Sequence, residues 1–130
     1  MEKQKMIIDN APVFFVSDIL KAGTFYKEKL GFDFERYWGE TPSFCMPTRD
    51  GLTVMLQQVA AEQVKPNGRI ECWDAYFWIK EATLLFQEFK AKGVEIVYEP
   101  LIREHYEMKE FAIKDLDGHI LAFGQNWEGE

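Results

Sequence analysis

At 130 residues the chain is long enough for one domain with a real core and too short for two independent ones. Hydrophobic residues make up 47% and aromatics 15%, with ordinary Gly and Pro, which excludes disordered, collagenous and low-complexity classes. A net charge of -7, from 22 acidic against 15 basic residues, argues against a nucleic-acid partner, because phosphate binding rests on clustered Lys and Arg; an acidic surface suits a cationic ligand or simply maintains solubility.

In chain order, the apolar run Ala11 to Val16 (APVFFV) predicts a first strand. Ser17 or Asp18 can cap a helix from about Ile19 to Leu30, where Leu20, Ala22, Phe25, Tyr26 and Leu30 recur at helical spacing and Gly31 is the stop. Phe32 to Trp38 alternates like a strand, Gly39 to Pro42 breaks it, and Ser43 to Pro47 reads as a short strand. After the Arg49-Asp50-Gly51 turn, Leu52 to Val59 is the fourth strand. A polar linker, Ala60 to Glu71, carries the turn signal Pro66-Asn67-Gly68.

The second half repeats the plan. Trp73 to Ile79 is a strand, Glu81 to Lys92 an amphipathic helix built on Leu84, Leu85, Phe86 and Phe89 and stopped by Gly93, and Val94 to Tyr98 another strand. Phe111 to Ile113 and Ile120 to Phe123 flank Asp115-Leu116-Asp117-Gly118, which predicts a hairpin. Val16 matches Ile79 at an offset of 63, Gly31 matches Gly93 at 62, and the Gly51 turn matches the Gly118 turn at 67. Such near-constant offsets are the mark of an internal duplication. The expected organisation is a single domain over 1–130 with two βαβββ modules, about 11–59 and 73–125, joined by a linker over about 60–71.

Cys45 and Cys72 lack metal or redox spacing and read as reduced, partly buried thiols. Met1 to Lys5 is polar, without the apolar run of a signal peptide, and no stretch reaches transmembrane length. The expected compartment is therefore the cytosol, with no membrane partner. The Asp115 to Gly118 run lacks the downstream bidentate Glu of a calcium loop and reads as a turn only.

Three segments, VFFVSDILKAGTFYKEKLGF, YFWIKEATLLFQEFKAKGV and EFAIKDLDGHILAFGQ, resemble in this order the glyoxalase/bleomycin resistance protein/dioxygenase (vicinal oxygen chelate) superfamily, the bleomycin-resistance branch most closely. The resemblance implies an α+β fold in which paired βαβββ modules form a curled, incomplete barrel-like mixed sheet, with helices outside and a ligand cleft within. It also implies a homodimer, since a second subunit often completes that cleft. In metal-dependent relatives four strand positions hold the ion, and here the matching residues are Ala11, Leu56, Asp74 and Ala122. Two methyls and an isobutyl cannot donate to a cation, so no metal and no other cofactor is expected. His105 and His119 fall on no matched position, and His119 is expected as an exposed imidazole.

Strand alternation puts Asp74, Tyr76 and Trp78 on one face and Phe77 and Ile79 on the other, against the helices. The matched position Asp74 marks the first face as the cleft. By the same count Val13 and Phe15 join Ala11, Val54 and Gln58 join Leu56, and Ile120 and Gly124 join Ala122. Trp38 and Phe44, flanking the Gly39 to Pro42 break, and Tyr106, before the final hairpin, are further candidates, because aromatic residues of comparable regions contact the planar part of the drug in bleomycin-resistance proteins. Core packing or a dimer seam is the other reading for each aromatic. Glu107 and Glu110 are expected as solvated charges.

The leading expectation is metal-independent sequestration of a bulky aromatic, cationic small molecule of the bleomycin type, with no catalytic residue. An enzyme, a lyase, isomerase or dioxygenase, is the alternative. It would need a metal on Asp74 with Gln58, or Asp74 as a base raised by its apolar walls. A third reading is a cleft that takes an unknown metabolite or packs against a partner.

Overall fold

The computed structural model describes residues 4–69 and 72–128. The first residues of the polar N-terminus and the end of the expected linker, residues 70–71, lie outside the described residues. The order is β1 (Val13–Val16), α1 (Ile19–Leu30), β2 (Phe44–Cys45), β3 (Thr48–Arg49), β4 (Leu52–Thr53), β5 (Met55–Gln58), β6 (Ala75–Trp78), α2 (Ala82–Ala91), β7 (Glu95–Arg103), β8 (Met108–Lys114) and β9 (Ile120–Asn126). The strands form mixed sheets ordered β1-β5-β2 and β6-β9-β8-β7 plus the β3-β4 ribbon. Parallel pairs β1·β5 and β6·β9 sit beside antiparallel ones, and no sheet among the described residues closes into a barrel. This is the α+β architecture the sequence predicts.

Local chemistry explains the helices. Asp18 caps α1, its carboxylate accepting the Lys21 amide at 3.1 Å, and Gly31 ends it at φ 75°, a left-handed backbone that favours glycine. The duplication extends to hydrogen bonds. At the end of β5 the Gln58 side chain accepts the Ile19 amide at 2.8 Å, and on β9 Gln125 accepts the Ala82 amide at 2.8 Å, so each module caps its own helix from a strand.

Module 1 departs from expectation. Phe32 to Trp38 forms no strand; it makes only two isolated bridges, Asp33 to Thr48 and Trp38 to Phe44. Asp33 turns its carboxylate onto the Phe34 amide, and Phe34 and Tyr37 pack instead on α1, so close to Gly23 that a Cβ there would lie 2.6 Å from the Tyr37 hydroxyl. The expected third strand stops before Pro47, whose nitrogen has no hydrogen to donate. Leu52 to Val59 is split at Val54, whose amide bonds back to the Pro47 carbonyl at 2.9 Å.

The inner faces of both large sheets and both helices share one core. Phe14, Val16, Tyr26, Leu56, Phe89, Phe111 and Phe123 lie in it, with Phe77 packed against it. Phe123 stacks between Phe77 and Phe111, with centroids 5.0 and 5.2 Å away. Burying each such ring is worth about 1.5 to 3 kcal/mol. Cys45 lies in this core, where burial pushes its thiol up to about 11.

Polar contacts lock the modules together. Arg49 forms a two-pronged pair with Glu88 at 2.7 and 3.0 Å while also donating to the Leu30 carbonyl at the end of α1. In the core, Tyr26 donates to Asp115 at 2.7 Å, and His119 Nδ1 lies 2.9 Å from the same carboxylate while its ring stacks on Phe14 at 4.4 Å. His119 is thus buried at 4% exposure, not the exposed imidazole expected: the turn folds inward over β1 and Asp115 supplies a partner. Burial works against the His119 cation, yet the Asp115 hydrogen bond and charge hold its pKa above the ordinary value.

Candidate functional site

Opposite the core, the outer face of the β6-β9-β8-β7 sheet carries a second cluster. Ala112, Ile120 and Ala122 form its floor, and Trp73, Tyr76, Val97 and Tyr98 lie against it. Directly paired residues share a face, so two cross-strand rows define the surface: Tyr76, Ala122, Ala112 and Tyr98, then Trp78, Gly124 and Glu110. Small residues on the central strands leave room for the aromatic rings over them. Gly124 makes room for this layer, because a Cβ would overlap the Tyr76 hydroxyl and sit 2.7 Å from Met108 Cε.

At the centre is Glu110, which is completely buried. The expectation of a solvated charge is wrong. β8 is flanked by strands on both sides, and alternation turns Glu110 beneath the aromatic layer. Its carboxylate accepts four hydrogen bonds: at Oε1 from Tyr76 (2.8 Å) and Tyr106 (3.0 Å), and at Oε2 from Tyr98 (2.6 Å) and Arg103 Nε (3.2 Å). Trp73 Nε1 donates in turn to the Tyr98 hydroxyl at 2.9 Å. A buried charge is tolerable only when partnered in this way. Burial, then the hydrogen bond to the carboxylate, pushes the Tyr98 phenol up to about 12 and raises Tyr76 and Tyr106 as well, so all three stay protonated donors at neutral pH. Burial opposes the Arg103 cation, but its bonds to Tyr98 and Glu110 raise it.

The sequence candidates divide by face. Asp74, Tyr76, Trp78 and Ala122 lie on this outer side, Trp78 at 71% exposure and Tyr106 at 37%. In module 1, Phe15, Gln57, Phe44 and Trp38 make one cross-strand row, also on the side away from the core. Phe15 and Trp38 are 47% and 42% exposed, and Arg36 stacks on the Trp38 ring at 3.5 Å. Leu56, Gln58 and Val54 do not join them. The register pairs Leu56 with Phe14 and Gln58 with Val16, both core residues, so this strand is one residue out of the expected phase. Leu56 and Val54 are core, and Gln58 is the cap of α1 described above. Met55 and Gln57 take the outer positions instead.

Asp74 is a structural group. One carboxylate oxygen accepts the Asn67 amide at 3.0 Å and the other the Ile120 amide at 2.8 Å, fastening the linker to β9. The four positions that hold an ion in metal-dependent relatives thus offer a buried Leu56, an Ala122 beneath Tyr76, the methyl of Ala11 and a carboxylate engaged by two amides. That set does not fit a divalent ion. Among the described residues no group of three or more His, Cys, Asp or Glu could hold a metal ion.

Two hollows lie away from Glu110. One, of about 650 Å³, sits between α2 and the β3-β4 ribbon over Phe32, Phe77 and Phe89, with the Arg49 and Glu88 pair at its rim. Arg49 and Glu88 engage each other there, while Lys80 and Glu81 also line the hollow. The other, of about 620 Å³, lies beside Trp38, Arg36 and Met46. No helix of the described residues is long and apolar enough to cross a membrane.

A chain in which two helices pack on two curled mixed sheets, one half echoing the other, has the fold of the vicinal-oxygen-chelate type. The family model described as Glyoxalase/Bleomycin resistance protein/Dioxygenase superfamily matches residues 10–123, and the chain belongs to that superfamily. Among solved structures it is similar to TioX from Micromonospora sp. ML1, with a TM-score of 0.74 and 18% identity over 92% of this chain and 98% of that one. It is similar also to TnmS3, an antibiotic binding protein from Streptomyces sp. CB03234 (TM-score 0.67, 20% identity, 94% and 99% covered). A third is the fosfomycin resistance protein FosX from Listeria monocytogenes (TM-score 0.70, 15% identity, 93% and 94% covered). At these identities the likeness establishes the fold. No curated protein sequence matches the chain.

Proposed function

We propose that the protein is a cytosolic, homodimeric member of the bleomycin-resistance-like branch that holds a bulky aromatic small molecule without a metal and without chemistry. The observation that carries this reading is the pair of aromatic sheet faces. Phe15 and Trp38 on one, and Trp78 and Tyr106 on the other, are large rings turned outward and left between 37% and 71% exposed within one chain. Rigid rings on strands provide stacking area at little conformational cost. A second copy seated on these faces would close them around the ligand, and sedimentation equilibrium tests that dimer. TnmS3, a fold neighbour, is an antibiotic binding protein, which makes antibiotics the first ligands to try.

The enzymatic reading through Asp74 is less favoured, because both of its oxygens are committed to backbone amides. The function test is a thermal-unfolding titration with metal-free bleomycin in EDTA. A ligand that binds only the native state adds RT ln(1 + [L]/Kd), about 2.7 kcal/mol at a hundredfold excess over Kd. A saturable rise in midpoint that persists in EDTA is expected. Absence of any shift with bleomycin and with other aromatic antibiotics would refute the reading.

A further inference from the structure

We infer that Arg103 is the specificity-determining residue of this outer face, and that it selects a planar aromatic compound with a hydrogen-bond-accepting oxygen at its edge, a carboxylate above all, in preference to an ammonium. The inference rests on the binding function proposed above and deepens it. Arg103 pairs with Met108 and Met108 with Asn126, which makes a third cross-strand row on the outer side, next along β8 and β9 to the row of Trp78, Gly124 and Glu110. Arg103 therefore shares a face with Trp78 and a carboxylate with Tyr106. Lys114, the cation at the opposite end of β8, lies 3.8 Å from Glu95.

The guanidinium is held in place from several sides. Its Nε donates to Glu110 Oε2 at 3.2 Å, the hydroxyls of Tyr98 and Tyr106 accept from it, and the Tyr98 ring lies 5.2 Å from Cζ. An arginine carries five N–H donors in a rigid fork, more than these three acceptors use. Among the described residues no further carboxylate pairs with it, and its side chain keeps 29% of its surface exposed. A buried anion thus fixes one edge of a fork whose remaining donors are open to the face, so a ligand oxygen meets them already oriented.

The net charge of -7 favours a cation at long range. At contact the preference reverses. Glu110 has no exposed surface and lies behind Arg103, so the charge that a ligand can touch here is the guanidinium. An ammonium seated there meets a like charge, whereas a carboxylate matches the fork. Lysine in the same place would still balance Glu110, but as a compact point charge it offers no second edge to a ligand.

The experiment is a titration at pH 7 of 2-naphthoate, 2-methylnaphthalene and 2-naphthylmethylamine against the wild type and Arg103→Lys, followed by nuclear magnetic resonance with the Arg103 Nε–H signal as a site-specific reporter. The wild type is expected to bind the naphthoate about tenfold or more tighter than methylnaphthalene, the scale of one charge-assisted hydrogen bond, and the amine weakest. In Arg103→Lys the naphthoate advantage should fall about tenfold while methylnaphthalene binds as before, a split that a purely structural role of Arg103 would not produce. Should Arg103→Lys not fold, the wild-type reporter decides: its signal should move with the naphthoate and much less with methylnaphthalene. Equal binding of the three probes, an advantage unmoved in Arg103→Lys, or an Nε–H signal that ignores the naphthoate overturns the inference while leaving aromatic binding intact. Tightest binding of the amine also overturns it and assigns the preference to exposed carboxylates of the adjoining turn, Glu104 and Glu107. No binding of any probe removes the inference and counts against the proposed function as well.

Discussion

Replacing Gly124 by Ala probes the central packing of the site. Gly124 lies on β9 between Trp78 and Glu110, without a positive φ, so Ala is compatible with its backbone. In an ordinary strand the change would stabilise by about 0.5 to 1 kcal/mol through the unfolded chain. Here the new methyl would overlap the Tyr76 hydroxyl and press on Met108 Cε. Met108 can swing aside, but Tyr76 must withdraw from Glu110, removing one of the four donors to a fully buried carboxylate. A hydrogen bond to a charged group is worth about 1.5 to 3 kcal/mol. The net loss is about 1 to 2 kcal/mol, a fall in Tm of about 3 to 10 °C, read by calorimetry. In a Tyr76→Ala background the obstacle is gone and the same Gly124→Ala change should become neutral or stabilising. A Gly124→Ala protein as stable as the wild type, or the same loss in both backgrounds, would refute the packing argument.

Further outcomes follow from single contacts. Asp74→Asn keeps only one acceptor for the Asn67 and Ile120 amides, and should lower stability by about 1 to 3 kcal/mol in urea unfolding. Gln58→Ala and Gln125→Ala each uncap one helix and should cost about 1 kcal/mol apiece, additively, since they serve different modules. The folded pKa of His119 is raised, beside Asp115 and with Asp74 and Asp117 nearby, so its contribution is complete below the unfolded value of about 6.5 and is lost as pH rises through the folded one. The stability gap between wild type and His119→Gln should therefore shrink as pH rises above about 6.5, measured by thermal melts across pH.

Patterns of period and punctuation made the second module readable in advance: Gly93 stops α2, the Asp115 to Gly118 turn sits between β8 and β9, and alternation put Tyr76 and Trp78 opposite Phe77. The first module was harder. Val54 to Gln58 offers apolar and amide side chains on both parities, so the phase of β5 depends on its pairing with β1, which no local pattern records. Glu110 was missed because a charged residue at the start of a strand reads as solvated. Its burial depends on three tyrosines and an arginine brought from β6, β7 and the turn before β8. One signal was present: a lone acid on the alternate parity of an apolar strand near Tyr98, Arg103 and Tyr106. Asp74 reads the opposite way. An acid at a matched ligand position suggests a site, yet the backbone amides of Asn67 and Ile120 claim it.

The most direct test of cleft binding is a titration of aromatic antibiotics, metal-free bleomycin first, in EDTA, run in parallel on the wild type and on Trp78→Ala. Trp78 is 71% exposed, so its removal should leave the melting point of the free protein nearly unchanged. The account predicts a saturable stabilisation of the wild type that falls at least about tenfold in affinity in Trp78→Ala, as loss of one stacking anchor entails. Equal affinity in the two proteins would place the ligand elsewhere and contradict the assignment of this face as the site.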